Sequence, residues 1–419
     1  MTVETGATVT ALPGAVLEFD GAAEPKIEVF GGFAAAGTAG LEVVMRPAGN
    51  GAPGGWAGIE LKAGATADLT SCSITGAGAA LKGYQATVYL DDCSFDDNTY
   101  GVYLTACDIE AARSVFSQSD SIGMYLSGGG GTIADCLFDA NFRSGLWLHN
   151  SASHTITGST FTGTTAGSGL VCYRFSDAVI DSCYSTANAE HGMLIHNSSP
   201  EISRCTISDN SQNGIMTRKL SEPAVSWTTI EDNRIGVVSE TGALPNLGDL
   251  ENANTGNNSI MGNQRAAVAN YSDGEFPIQC RGNWWGSYPP NGRIFIGYLK
   301  YYPCLPGPPT SGDTKLIVDL EGEDPRPDAF RLVGASPNPF NPVTSIEYEV
   351  PFEGPLDIGV FDVAGRRVAT LYSGYHDPGT HTVTWNGRDD RGRGVASGVY
   401  FVRLAADGVE ASRKVVLLQ

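Results

Sequence analysis

The apolar residues of this chain alternate with polar ones over runs of four to six, as in Gly145-Leu146-Trp147-Leu148, and Gly, Asn, Asp or Ser closes each run. Alternation of this kind marks half-buried β-strands rather than helices. The runs are themselves periodic. A Gly followed by an apolar residue recurs at Gly58, Gly78, Gly101, Gly123, Gly145, Gly169, Gly192, Gly214 and Gly236, at spacings of 20 to 24. A second marker follows 13 to 15 residues later, at Cys72, Cys93, Ser114, Cys136, Ser159, Cys183, Cys205 and Thr228. Two residues beyond it stands Ile74, Phe95, Phe116, Phe138, Phe161, Ser185, Ile207 or Ile230, and five beyond it Asn98, Asn141, Asn188, Asn210 or Asn233.

A unit this short holds two or three strands and cannot enclose a core alone. Stacked on its neighbours at about 4.8 Å, it becomes one coil of a parallel β-helix. A propeller blade needs about 40 residues or more, so the period excludes it. Stacking predicts that Leu104, Leu126, Leu148, Cys172 and Ile195 form one inward column. The Cys/Ser positions form another, at a corner where two strands meet. The Asn column is expected to bend each coil while its amides bond to neighbouring backbone.

The pattern resembles the right-handed parallel β-helix repeat family, the pectate-lyase-like superfamily, over roughly residues 1–300. Thr8-Val9-Thr10-Ala11-Leu12-Pro13-Gly14 is similar to the first coil of such proteins, and Asn283-Trp284-Trp285-Gly286-Ser287 to the motif that closes them. Those Trp rings are expected to cover the open apolar end. The expected fold is all-β: a right-handed parallel β-helix of about 22 residues per coil followed by a small antiparallel β-sandwich.

The period vanishes after residue 302. A connector rich in Pro and Gly is expected over 303–328. Residues 329–419 alternate again, in Ser345–Val350, Asp357–Asp362 and Thr382–Trp385, between Gly, Asp and Pro turns. Four ordered motifs there resemble the type IX secretion C-terminal sorting domain and the Ig-like domain of the flagellar hook-capping protein. They are Ser336-Pro337-Asn338-Pro339-Phe340-Asn341-Pro342, Val363-Ala364-Gly365-Arg366-Arg367-Val368, Trp385-Asn386-Gly387-Arg388-Asp389-Asp390 and Ser397-Gly398-Val399-Tyr400-Phe401-Val402-Arg403-Leu404. The last strand, Arg413–Leu418, fits the family's terminal element, although Gln419 stands where a basic residue is common. The resemblance implies an address read by outer-membrane secretion machinery, hence an extracellular or cell-surface destination. No signal peptide is expected in Met1-Thr-Val-Glu, which has no basic or apolar leader pattern.

Composition narrows the partners. Charged residues make up 17% and hydrophobic ones 42%, against 53 Gly, so neither a disordered chain nor a helical bundle is expected. The net charge is −20, from 46 acidic and 26 basic residues. Such a surface repels phosphate backbones and anionic lipid, which argues against nucleic-acid and membrane-surface partners. No apolar run reaches the ~18 residues of a transmembrane span.

Candidate chemistry follows from the columns. Outward from the Leu column point Tyr103, Tyr125 and Trp147, and two residues after this aromatic column come His149, Tyr173, His196 and Arg218. An aromatic stripe edged by hydrogen-bonding groups suits either sugar rings lying across the coils or a lateral loop or the C-terminal domain packed upon it. Asp92, Arg113 and Asp135 align one residue before the Cys/Ser column, as a charge ladder or as weak catalytic candidates. Asp209 and Asp232 align with Glu231 beside them, which points to solvent exposure at a turn or to calcium. Nine cysteines cannot all pair. The ladder thiols are expected as small core residues, while Cys280 and Cys304, flanking the Trp-Trp-Gly segment, are a disulfide candidate. Glu190-His191-Gly192 departs from the Gly-His-Gly of polygalacturonase-like enzymes, and no Arg-x-Lys is present. The function expected is a polysaccharide-binding or adhesin-like module; the alternative is a polysaccharide lyase or glycosidase acting on acidic glycans.

Overall fold

The computed structural model describes residues 1–418 apart from 21–23, 50–53, 151–152, 250–253, 273–275, 289, 298, 302–303, 310–329, 351–353, 377–378 and 407–408. Most of the 303–328 connector therefore lies outside the described residues. From Thr2 to Lys300 the chain winds through three parallel sheets, each coil giving one strand to each sheet in turn. Among the described residues the first sheet has 13 strands, the second 13 and the third 11. One coil runs through Tyr100–Thr105, Asp108–Ala112 and Val115–Ser117; the next runs through Ile122–Ser127, Gly130–Ala134 and Leu137–Asp139.

Register follows the sequence columns. Leu104 pairs with Leu126, Leu126 with Leu148, Leu148 with Cys172 and Cys172 with Ile195, all buried. In the third sheet Phe95, Phe116, Phe138 and Phe161 stack at centroid distances of 5.0, 4.9 and 4.9 Å. Ser185 then breaks the stack, and its Oγ donates to Gly192 O at 2.8 Å. One sequence marker shifts. Ile59 pairs with Leu81 and Leu81 with Val102, so Ala80 rather than Gly78 occupies the glycine column.

That column holds small residues because there is no room for more. A Cβ on Gly192 would lie 2.8 Å from both Gly214 O and Asn210 Nδ2, and 2.5 Å from Ile207 Cγ2. The Asn ladder beneath supplies the missing backbone partners. Asn98 Oδ1 accepts from Ala77 N at 2.8 Å, while its Nδ2 donates to Ile74 O and Asp96 O at 3.0 Å. The corner column works in the same way: Cys93 N donates to Ser114 Oγ at 3.1 Å and Thr228 N to Asn258 Oδ1 at 2.9 Å. Asn283 ends that series, accepting from Asn258 N at 2.9 Å, and Trp285 beside it is buried edge-on to Phe295 at 4.8 Å. The Trp285 ring thus belongs to the core at the far end of the coil; Trp284 is only half-buried.

The corners turn on left-handed residues, one at most of them and two in succession at Arg174-Phe175 and Lys219-Leu220. Asp92, Arg113 and Asp135 have φ of 55°, 48° and 52°, and Asp209 and Asp232 have φ of 56° and 55°. Non-glycine residues pay an energetic cost in this region, least for Asn and Asp.

After the coil, two antiparallel sheets enclose a second core. One contains Arg331–Ser336, Thr344–Val350 and Gly379–Trp385; the other contains Arg367–His376, Gly354–Phe361, Gly398–Ala406 and Val409–Leu417. Phe340, Ile346, Ile358, Trp385, Val402 and Leu417 are buried between them. Two motifs seen in the sequence are the same turn. Asp362 Oδ1 accepts from Ala364 N and Arg366 N at 2.9 Å, and Asp389 Oδ1 accepts from Arg391 N at 3.0 Å and Arg393 N at 2.9 Å. In each turn the Asp carboxyl is held below its ordinary range, first by the backbone N–H bonds and then by the Arg side chain.

Candidate functional site

The outer face of the first sheet carries two in-register columns. Tyr103 pairs with Tyr125, Tyr125 with Trp147 and Trp147 with Val171. Two residues along, Ser127, His149, Tyr173, His196 and Arg218 follow one another on successive coils. Parallel in-register pairing brings their rings into contact. Tyr103 and Tyr125 stack at 4.7 Å, His149 and Tyr173 at 5.7 Å, and Tyr173 and His196 at 4.7 Å. Trp147 lies 6.1 Å from Tyr173 and links the two columns. All seven proposed binding residues are half-buried, and the stacked rings turn their faces toward one another along the coil axis and their edges outward.

This face has a polar edge. Ser127 Oγ and His149 Nδ1 are 3.1 Å apart, and Arg218 Nε donates to Glu240 Oε2 at 3.0 Å. The corner residues Arg174 and Lys219, which the column reading missed, stand beside His196. The Arg174 guanidinium lies 5.3 Å from the Tyr173 ring centroid. Partial burial, then the charges of Lys219, Arg218 and Arg174, hold the His196 imidazole below its ordinary pKa. Beyond Trp147 the aromatic column continues as Val171, Leu194, Met216 and Val238, and Met216 and Val238 are buried.

The weaker candidates fare differently. Asp92, Arg113 and Asp135 do not form a charge ladder. Each is a left-handed, solvent-exposed corner residue; Arg113 pairs with Asp91, and Asp92 Oδ2 accepts from Ser71 Oγ at 2.9 Å. Asp209 and Asp232 are likewise exposed corners, while Glu231 sits on the adjoining strand. Among the described residues no group of three His, Cys, Asp or Glu side chains is placed to hold a metal. No disulfide joins Cys280 to Cys304. Cys280 is a buried free thiol whose Sγ faces Ile278 O at 3.8 Å, and Cys304 is buried in the same core cluster. The ladder thiols are buried and bond to carbonyls, as in Cys93 Sγ to Leu69 O at 3.3 Å.

Two features escaped the sequence. His154 is buried in the coil with no partner on either ring nitrogen, and burial pushes its pKa down to about 4. It pairs with Gly131 on the neighbouring coil. On the second sheet a groove of about 530 Å³ crosses four coils, lined by Asp68, Tyr89, Asp91, Glu110, Arg113 and Thr132 among others. Its alternation was readable in Thr87-Val88-Tyr89-Leu90, but no aromatic column marked it.

The chain matches the family profile of the right handed beta helix region over residues 50–175 and 122–283, and it belongs to that family. Residues 346–409 match the FlgD Ig-like domain. No curated protein matches. Among solved structures, the chain is similar to the periplasmic alginate epimerase AlgG at 12% identity, over 71% of this chain and 77% of that one, with a TM-score of 0.36. It is similar to the A-module of an Azotobacter vinelandii mannuronan C-5 epimerase at 15% identity, over 73% and 92%, with a TM-score of 0.41. The catalytic domain of a GH87 α-1,3-glucanase in complex with nigerose is similar at 12% identity, over 70% and 61%, with a TM-score of 0.36. None of these likenesses carries a residue role or an activity across to this chain. No helix among the described residues is long and apolar enough to cross a membrane.

Proposed function

We propose that this chain is an exported surface or extracellular protein whose β-helix binds polysaccharide through the first sheet. Residues 1–302 form the binding module. Residues 329–419 serve as its address to the secretion machinery, joined through 303–328. The observation that carries the reading is the continuous ring series Tyr103–Tyr125 and His149–Tyr173–His196, with Trp147 between the two columns. It offers half-buried ring edges at the coil repeat beside hydrogen-bonding groups, against which the C–H faces and hydroxyls of sugar rings can lie. A lyase needs a basic group free to take a proton, and Arg113, the candidate for that task, is held by Asp91. A glycan array probed with the full chain and with Trp147→Ala tests the reading. Signal from the parent chain that falls in the variant supports it; equal signal from both, or none from either, refutes it.

A further inference from the structure

The groove on the second sheet differs chemically from the aromatic face. Asp68, Tyr89, Glu110 and Thr132 form one column, paired coil to coil. Tyr89 is 43% exposed. Asp68 and Glu110 stand one coil to either side of it, two strand spacings or about 9.6 Å apart. Asp91 lies two residues beyond Tyr89 on the same strand and takes up the Arg113 guanidinium. Among the described residues neither Asp68 nor Glu110 has a hydrogen-bonding or ionic partner.

The groove therefore presents an aromatic ring between two unpaired carboxylates, with its single cation already neutralised. The two carboxylates stand on alternate strands of one face, about 9.6 Å apart, where their mutual repulsion brings the fold no gain. The complement is a ligand that brings positive charge and donors. A uronate or sulfated sugar would be repelled. An ammonium group is attracted both to carboxylates and to an aromatic face. We propose that this groove is a second carbohydrate site, selective for cationic sugars: oligomers of unacetylated amino sugar, with one ring on Tyr89 and its ammonium group reaching Asp68 or Glu110. The proposal is independent of the reading of the first sheet.

Calorimetric titration of the full chain with a glucosamine hexamer tests it, with the N-acetylglucosamine hexamer and a galacturonate hexamer as controls. The glucosamine oligomer is expected to bind at least about tenfold more tightly than either control, with affinity falling as salt is raised. The double variant Asp68→Asn/Glu110→Gln is expected to lose about tenfold or more at unchanged melting temperature. Tyr89→Ala is expected to weaken binding, and Tyr184→Ala, at an exposed tyrosine on the third sheet, to leave it unaltered. Absence of binding by the parent chain, equal binding of the acetylated oligomer, undiminished affinity in the double variant, or loss in Tyr184→Ala would each overturn the proposal. A failed glycan array with intact amino-sugar binding would remove the first-sheet reading alone.

Discussion

Asn188 donates from Nδ2 to Oδ1 of Asn210, one coil further along the helix, at 2.9 Å, and its backbone N–H reaches the same oxygen at 3.1 Å. Asn210 in turn donates to Ser185 O at 3.1 Å and Asn233 Oδ1 at 2.9 Å. One buried amide thus satisfies groups on three coils. Asn210→Ala is expected to cost roughly 3 kcal/mol, since donors and acceptors are left buried without partners. Urea unfolding measures it, and a change below about 1 kcal/mol would show that water replaces the amide.

The glycine column packs against this ladder. Gly192→Ala drives a methyl into Asn210 Nδ2, Ile207 Cγ2 and Gly214 O. Overpacking of this kind costs about 1–3 kcal/mol, and backbone on one side leaves little room to yield. The expected result is a lower denaturation midpoint; the same change at Gly307, where a Cβ would meet nothing within 4 Å, should leave the midpoint in place.

Phe138 stacks between Phe116 and Phe161 and is fully buried. Phe138→Ala is expected to destabilise by about 3–5 kcal/mol through lost burial and a cavity that stacked coils cannot collapse. Phe138→Leu should recover most of that loss in the same unfolding assay.

Acid should loosen the coil through two histidines. Burial pushes His154 and His191 down to about 4, and Asn213 N donates to His191 Nδ1 at 3.4 Å. The unfolded chain, with its histidines near 6.5, takes up protons first. The stability these groups contribute is therefore complete above pH 6.5, declines as pH falls, and is lost by about pH 4, at roughly 3 kcal/mol each. Unfolding free energy measured from pH 7 to 4 should slope less steeply in His154→Leu than in the parent chain; identical slopes would contradict the assignment.

Much of this architecture was legible in the sequence because a solenoid repeats its environment. Phe95, Phe116, Phe138 and Phe161 meet the same surroundings on successive coils, so the period and the core columns could be read together. The corners were less legible. Left-handed backbone falls on Asp and Asn more often than on other types but also on Ala106, Arg113, Gln118 and Trp227, so residue type marks only some of the corners. Missing the corners misdirected Asp92, Arg113 and Asp135, which sit in exposed turns where Asp92 accepts from Ser71 of the same column and Arg113 pairs with Asp91 on the adjoining strand. The glycine marker failed once, at Gly78, because alanine two residues later fills the column equally well. The second-sheet groove stayed hidden because Tyr89 has no aromatic above or below it; only the register places carboxylates there.

Both proposed binding faces require successive coils to lie in register along the first sheet. Tyr84 and Arg218 belong to one column through Thr105, Ser127, His149, Tyr173 and His196. Six strand spacings separate them, about 29 Å. Spin labels on Tyr84→Cys/Arg218→Cys can report this distance by pulsed electron resonance, because the native cysteines are buried. A narrow distribution near 29 Å, widened only by the label arms, is the expected result. A mean displaced by a coil or more, or a broad distribution, would contradict the register and with it both proposed binding faces.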